Sequence, residues 1–310
     1  MSELRFDGRV AVVTGGGTGI GASHARLLAH RGAAVVVNDL DAAAASDIAA
    51  EIVAAGGRAT AVASDIAAES GATATVDAAV EAYGRVDIVV NNAGLLRSAP
   101  FTEVTADLWD RVIAVNLRGT FLVTHAAWQH FVEQGYGRVV SSTSNSGLLG
   151  ISGSTAYASA KAAIWGLTRS LALEGADLGI HVNAVAPMAY TAMSAASKIA
   201  PEAWKTGEGD AWSRRLDVSQ VSPVVAWLAH EDCRVTGQVL SAVGGRVARF
   251  SLRVTDGFDV DPLTIEDVRD HEPELIDGGD HGTEYRAAFE EGKAMHRRLL
   301  GGHRRPEQRT

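Results

Sequence analysis

One stretch near the start limits the possible folds more than any other. Arg9 to Thr14 is a short Val-rich run, Thr14-Gly15-Gly16-Gly17-Thr18-Gly19-Ile20-Gly21 follows, a helical pattern covers about Ala22 to His30, and a second Val-rich run, Ala33 to Val37, ends at Asn38-Asp39. A short apolar run bounded by glycines is the signal of a buried strand. Strand, glycine turn, helix, strand and acid is the order of a βαβ unit that binds a dinucleotide. Glycines there let the backbone approach a pyrophosphate, which lies at the positive end of the helix. The spacing is Gly-x-x-x-Gly-x-Gly rather than Gly-x-Gly-x-x-Gly.

The alternation continues along the chain. A helix is expected over Ala42 to Ala55, stopped by Gly56-Gly57, and a strand over Arg58 to Ser64 ending at Asp65. A helix to about Tyr83 and a strand Val86 to Val90 lead to Asn91-Asn92-Ala93-Gly94. One long helix is expected over Trp109 to Gln134, then a strand Arg138 to Ser141, a helix ending near Glu174, and a strand Ile180 to Val185. Strands alternating with helices predict an α/β fold: a single Rossmann-type, doubly wound parallel sheet covered on both faces. Ligands of such sheets bind at the carboxyl ends of the strands. Asp39, Asp65, Asn91-Asn92, Ser141 to Ser144 and Pro187 to Thr191 all fall there.

The stretch from Ser144 to Lys161 carries the chemistry. Tyr157 and Lys161 are four residues apart, so a helix puts them on one face, and Ser144 precedes that helix. A phenol, an ammonium and a hydroxyl in one place can move a proton to or from an alcohol oxygen. A tyrosine titrates near ~10, and a neighbouring ammonium lowers that value toward the range of a general acid/base. Taken by itself, the stretch equally describes a surface helix bearing a Tyr and a Lys.

Thr-Gly-x-x-x-Gly-Ile-Gly at Thr14 to Gly21, Asn-Asn-Ala-Gly at Asn91 to Gly94, Asn116, Ser144 and Tyr-x-x-x-Lys at Tyr157 to Lys161 together resemble the short-chain dehydrogenase/reductase family, over about residues 6 to 245. Segments around Val35 to Leu40, Leu117 to Phe121 and Val224 to Glu231 narrow the likeness to the (3R)-hydroxyacyl-CoA dehydrogenase domain of multifunctional β-oxidation enzymes. The resemblance implies an NAD-dependent enzyme that interconverts a secondary alcohol and a ketone by hydride transfer on a 3-hydroxyacyl-CoA-like substrate. A steroid or other bulky secondary alcohol is the alternative substrate, and a dinucleotide-sensing protein without catalysis the more distant reading.

By the same resemblance Tyr157 exchanges the proton, Lys161 holds the cofactor ribose and lowers the Tyr157 pKa, and Ser144 stabilises charge on the substrate oxygen. Asn116 holds a water that links Lys161 to solvent. The cofactor contacts are Gly15, Thr18, Gly19, Ile20, Gly21, Asp39, Leu40, Asp65, Ile66, Asn92, Ala93, Gly94, Tyr157, Lys161, Pro187 and Thr191. The alternative for Asp65 is a strand-end turn residue. There is one departure: the family has Pro-Gly after the last of these strands, whereas Met188 follows Pro187 here, which puts the loop path and the Thr191 contact in doubt. His24, His125 and His130 lack ligand spacing, so no metal is expected.

Composition bounds the partners. The chain has 28 basic and 37 acidic residues, a net −9, which disfavours nucleic acid and anionic membranes. No apolar run approaches the ~18 residues of a membrane span, no signal peptide is visible at the start, and the single Cys233 leaves no internal disulfide. A cytoplasmic protein with a small-molecule substrate is expected, and the resemblance implies a homo-oligomer, dimer or tetramer. Residues 1–250 form the expected dehydrogenase domain and 251–310 a C-terminal extension. That extension is partly helical, with a capping-box start at Thr264 and Asp267, a second helix over Tyr285 to Leu300, and a disordered basic tail. Trp204 and Trp212 lie in the variable stretch Ala189 to Leu216, where they line a substrate pocket or pin the segment.

Overall fold

The computed structural model describes residues 3–195, 213–277, 282–291 and 293–294. The chain divides into two units, Met1–Arg249 and Phe250–Thr310. Trp204, Trp212 and the basic tail lie outside the described residues.

The first unit is built on one sheet with the order β3-β2-β1-β4-β5-β6-β7-β8. Its strands are β1 Val10–Thr14, β2 Ala34–Asp39, β3 Arg58–Ala63, β4 Ile88–Asn91, β5 Gly137–Ser142, β6 Ile180–Met188, β7 Val239–Val243 and β8 Arg246–Phe250. Pairing from β3 through to β7 is parallel. Strand order reverses direction between β1 and β4, and that crevice is where an open α/β sheet takes its ligand. Every residue of β1 and of β5 is buried, which is why these strands read as continuous apolar runs rather than alternating ones.

Helices α1 Gly19–His30, α2 Ala42–Ala54, α3 Glu69–Tyr83, α4 Ala106–Ile113, α5 Gly119–Gln134, α6 Asn145–Leu149, α7 Thr155–Glu174 and α8 Ser222–Ala229 cover the sheet. One buried layer joins Ala11, Val13, Val35 and Val37 to α1, α2 and α8. The other joins Val10, Val12, Val36 and Val89 to α3 and α5. Alternate β1 residues thus serve opposite faces, as the pleat requires.

Three elements differ from expectation. The helix anticipated over Trp109 to Gln134 is broken by a π-helical turn, Ala114–Arg118, between α4 and α5. An extra residue in a helix changes no hydrophobic period strongly, so pattern alone does not show it. Strand β6 runs on through Pro187 and Met188, which pair with Ala242 and Val243 of β7. Finally, Gly244 and Gly245, with φ of 55° and 84°, turn β7 into β8, a hairpin no apolar pattern announced.

In the second unit, Thr264 caps a helix α9, Ile265–Asp270: the Thr264 hydroxyl accepts from the Asp267 amide, and the Asp267 side chain accepts from the Thr264 amide. The helix start expected there is present. A second helix, α10 Glu272–Asp277, follows, and Phe258 stacks on His271 at 4.2 Å. Of the helix expected over Tyr285 to Leu300, residues 288–291 and 293–294 are helical and 295–300 lie outside the described residues. No helix among the described residues is long and apolar enough to cross a membrane.

At the amino ends of the strands, a carboxylate ties the sheet together. Asp87 is fully buried. It accepts hydrogen bonds from the Val10 amide at 2.9 Å, from Arg9 at 3.2 Å and from Arg85 at 2.8 and 2.6 Å. Its own amide donates to Val10 and its carbonyl accepts from Arg138, so one residue spans β1, β4 and β5. Removing it orphans a buried amide and the Arg85 guanidinium, while Arg9 keeps Glu231 at 2.7 Å. Asp87→Ala is therefore expected to lower the unfolding free energy by about 2–4 kcal/mol. Urea unfolding at neutral pH reads this as a lower midpoint, and an unchanged midpoint would show that Arg85 is satisfied by water alone.

Candidate active site

The glycine turn is shaped by close backbone approach. A Cβ on Gly15, whose φ is 59°, would lie 2.9 Å from the Ala93 Cα, and one on Gly21 would lie 2.0 Å from the Gly15 carbonyl oxygen. No larger residue fits at either place. The turn is stitched to the end of β4 by Thr14 and Asn92. The Thr14 hydroxyl accepts from the Asn92 and Ala93 amides at 3.1 Å each, and the Asn92 side-chain amide donates to the carbonyls of Thr14 and Gly15 at 3.1 Å. Thr14 was not among the site residues read from the sequence; a threonine ending a strand directly before the glycines was the available signal.

Helix α1 begins at Gly19 with no acid in its first turn and no side-chain cap. Its amino-terminal N–H groups thus face the crevice with no protein anion against them. A Cβ on Gly19 would meet nothing nearer than Thr191 Cγ2, at 3.8 Å. Thr191 therefore reaches the turn despite Met188, because β6 carries the chain straight through that position.

Asp39 ends β2 beside the same turn. One carboxylate oxygen accepts from the Gly17 amide at 3.0 Å and the other from the Asp41 amide at 3.2 Å. Asp41, not Asp39, caps α2, accepting from Ala43 and Ala44. Leu40 is 75% exposed. Farther along the crevice, the exposed Asp65 accepts from the Ala67 amide at 2.9 Å, the turn geometry that was the other reading of this residue. Ile66 is buried against Gly119.

The chemical groups lie at the ends of β4 and β5. Ser144 caps α6, accepting from the Ser146 amide at 3.1 Å and donating to the Asn145 Oδ1 at 3.3 Å, and its hydroxyl is placed to favour the Tyr157 phenolate. Tyr157 is half-buried in the first turn of α7, while Lys161 one turn later is buried. The Lys161 Nζ donates to the Ser142 carbonyl at 2.7 Å and stands 5.7 Å from the centre of the Tyr157 ring.

Burial dominates the protonation of both groups. It lowers the Lys161 pKa to about 7. It also raises the Tyr157 pKa, with the Ser144 hydroxyl pulling the other way. Lys161 is not among the groups that offset this rise. Desolvation penalises each charged form, and the ammonium that was to offset it is itself weakened.

Asn116 sits in the π-helical turn. Its side-chain amide donates to the Leu95 carbonyl at 2.8 Å and the Val112 carbonyl at 2.9 Å, and its Oδ1 accepts from the Leu95 amide at 3.3 Å. A Cβ on Gly94 would lie 3.0 Å from that oxygen and 3.7 Å from the Lys161 Nζ. Gly94 is thus the gap through which Asn116 and Lys161 share a space. His24 is a packed residue, with Nδ1 2.8 Å from the Ser222 hydroxyl and a pKa lowered by burial to about 3. The described residues contain no group of three or more His, Cys, Asp or Glu placed to hold a metal.

The short chain dehydrogenase family model matches residues 9–202. A protein of Mycobacterium tuberculosis named as a short-chain type dehydrogenase/reductase is 42% identical over 279 residues, 87% of this chain and 94% of its own. The (2S)-[(R)-hydroxy(phenyl)methyl]succinyl-CoA dehydrogenase subunit of Thauera aromatica is 38% identical over 78% of this chain and 98% of its own. The full-length peroxisomal multifunctional enzyme type 2 of Drosophila melanogaster superposes with a TM-score of 0.80 at 30% identity, over 96% of this chain and 50% of that one. This chain therefore spans half the length of the Drosophila enzyme. With the glycine turn, the Ser144–Tyr157 pair and Lys161 gathered at one crevice, the chain belongs to the short chain dehydrogenase family and is an oxidoreductase acting on CH–OH groups.

Proposed function

We propose that the protein is an NAD-dependent dehydrogenase of 3-hydroxyacyl-CoA-like secondary alcohols. The observation that carries the chemistry is the gathering of three groups: Tyr157, the Ser144 hydroxyl that favours its phenolate, and the buried Lys161, whose Nζ stands 5.7 Å from the Tyr157 ring centre. Support for the substrate class comes from the Thauera relative, whose named substrate is a hydroxyacyl-CoA thioester, matched over 98% of its length.

The crevice fits a dinucleotide. Gly15 and Gly21 permit a backbone approach that any Cβ would block, and the first turn of α1 offers N–H groups without a competing acid. Gly15, Thr18, Gly19, Ile20 and Gly21 would hold the diphosphate, Asp39 and Leu40 the adenosine ribose, and Asp65, Ile66, Asn92, Ala93 and Gly94 the adenine side. Tyr157 and Lys161 would hold the nicotinamide ribose, with Pro187 and Thr191 at the carboxamide. A bound nicotinamide supplies the acceptor for the hydride.

In oxidation, the Tyr157 phenolate takes the proton of the substrate hydroxyl, and Ser144 donates a hydrogen bond to the same oxygen as carbonyl character develops. In reduction, the Tyr157 phenol gives that proton back. Lys161 orients the ribose, and Asn116 holds the loop at Leu95 against the helix that bears it. A homo-oligomer belongs to the same reading.

A panel read by NADH absorbance, with 3-hydroxyacyl-CoA thioesters set against steroids and simple secondary alcohols, tests the substrate class. Turnover restricted to steroids would replace it.

Tyr157→Phe is expected to cut turnover at least ~100-fold while NAD affinity stays within about twofold. Because the Tyr157 pKa is raised, the base form gains population as pH rises. Wild-type oxidation should therefore climb toward alkaline pH and reduction should fall. Full activity in the Tyr157→Phe variant, or a flat wild-type profile, would remove Tyr157 from the proton transfer.

NAD is expected over NADP. The Asp39 carboxylate is fixed by the Gly17 and Asp41 amides, and no cation occupies Gly16, Gly17 or Leu40. Like charges at ~4 Å cost roughly 4 kcal/mol at an effective dielectric of ~20, and half of that is already more than about tenfold. Comparison of kcat/KM for both cofactors, in wild type and in Asp39→Ser with Leu40→Arg, checks this. Equal use of NADP by wild type would overturn the preference, and an unshifted double variant would acquit Asp39.

A further inference from the structure

The π-helical turn that presents Asn116 has a second side chain with a long reach. Arg118, its last residue, donates from Nη1 to the carbonyl of Ala67. Ala67 lies in the loop after β3, immediately beyond Asp65 and Ile66. That loop closes on itself by short bonds only: the Ala67 amide to the Asp65 carboxylate at 2.9 Å and the Ala68 amide to the Asp65 carbonyl at 3.1 Å. On its β2 side it is held by the buried Asn38, whose side-chain amide donates to the Ser64 carbonyl at 3.2 Å and the Ser64 hydroxyl at 2.8 Å. On its other side the Ser64 hydroxyl lies 2.7 Å from that of Thr75 in α3, and the side-chain bond to the Ala67 carbonyl comes from Arg118. The same helical segment meets the loop again one residue later, where a Cβ on Gly119 would lie 2.8 Å from Ile66 Cδ1.

We infer that Arg118 is a cofactor-positioning residue: by holding the Ala67 carbonyl it sets the Asp65–Ile66 wall at the distance the adenine needs. The inference rests on the reading that this loop walls the adenine. Arg118 suits the task on physical grounds. A guanidinium stays charged at all working pH values and donates in a fixed fork, so its bond to a carbonyl is strong and directional. The donor stands on a helical element that is itself pinned, through Asn116, to the loop at Leu95. One turn therefore sets the spacing between the adenine wall and the catalytic groups.

The test compares wild type with Arg118→Met, which keeps an unbranched apolar stem, and Arg118→Lys, which restores a charged donor. Calorimetry measures ADP-ribose, the cofactor without its nicotinamide. Kinetics measures NADH against reduced nicotinamide mononucleotide, which lacks the adenosine half. Arg118→Met should weaken ADP-ribose and raise KM for NADH about tenfold, a change of ~1.4 kcal/mol. It should leave kcat and the mononucleotide kinetics within about twofold of wild type. Arg118→Lys should recover part of the loss. Equal losses with NADH and the mononucleotide would mark a general structural role and overturn the inference, as would unchanged ADP-ribose affinity in Arg118→Met. A wild type that binds no ADP-ribose would overturn the cofactor reading and this inference with it.

Discussion

The site depends on a contact between main chains that side chains would prevent. At the carboxyl ends of β1 and β4, Gly15 approaches Ala93 and Gly21 approaches Gly15 so closely that no Cβ can be present. Thr14 and Asn92 hold that contact by filling the hydrogen-bonding capacity that parallel strands leave unused where they separate. Everything that acts on a ligand is placed relative to this junction. Helix α1 leaves it with its first N–H groups uncapped, Asp39 reaches it through Gly17, and Gly94 continues from it toward Asn116 and Lys161.

Tyr157 and Lys161 sit in an environment that resists charge. Burial lowers the Lys161 pKa and raises that of Tyr157, so both are pushed toward their neutral forms. A raised phenol pKa favours giving a proton over taking one, and the Ser144 hydroxyl works against that rise. The opposite ends of the strands solve a different problem. There Asp87 is buried as part of a charge-paired cluster, and the Tyr136 ring lies against the guanidiniums of Arg9 and Arg138, 3.8 and 4.3 Å from its centre. Charge is thus kept at one end of the sheet, where it ties strand termini, and disfavoured at the other, on Tyr157 and Lys161.

Much of this was legible in residue order. The Val-rich runs marked the strands because buried parallel strands need apolar residues on both faces. Met188 was the misleading residue. Its presence where a glycine was expected suggested a diverted loop, but β6 simply runs on, paired with β7, and Thr191 still stands near Gly19. The apolar period across α4 and α5 concealed the π-helical turn, since a single wide turn shifts the helical face too little to show in the pattern.

By itself the sequence determined which backbone is possible. Glycine positions, apolar runs, the Tyr157–Lys161 spacing and the acid at Asp39 are local facts, set by sterics and by the geometry of one helix or strand. Tertiary structure decided the electrostatics and the distances. The pKa of Tyr157 turned on how deeply it is desolvated against what the Ser144 hydroxyl offsets, and the hold of Arg118 on Ala67 joins residues 51 apart in the chain. Burial and long-range contact are properties of the packed whole, because each depends on what other segments bring to the same place.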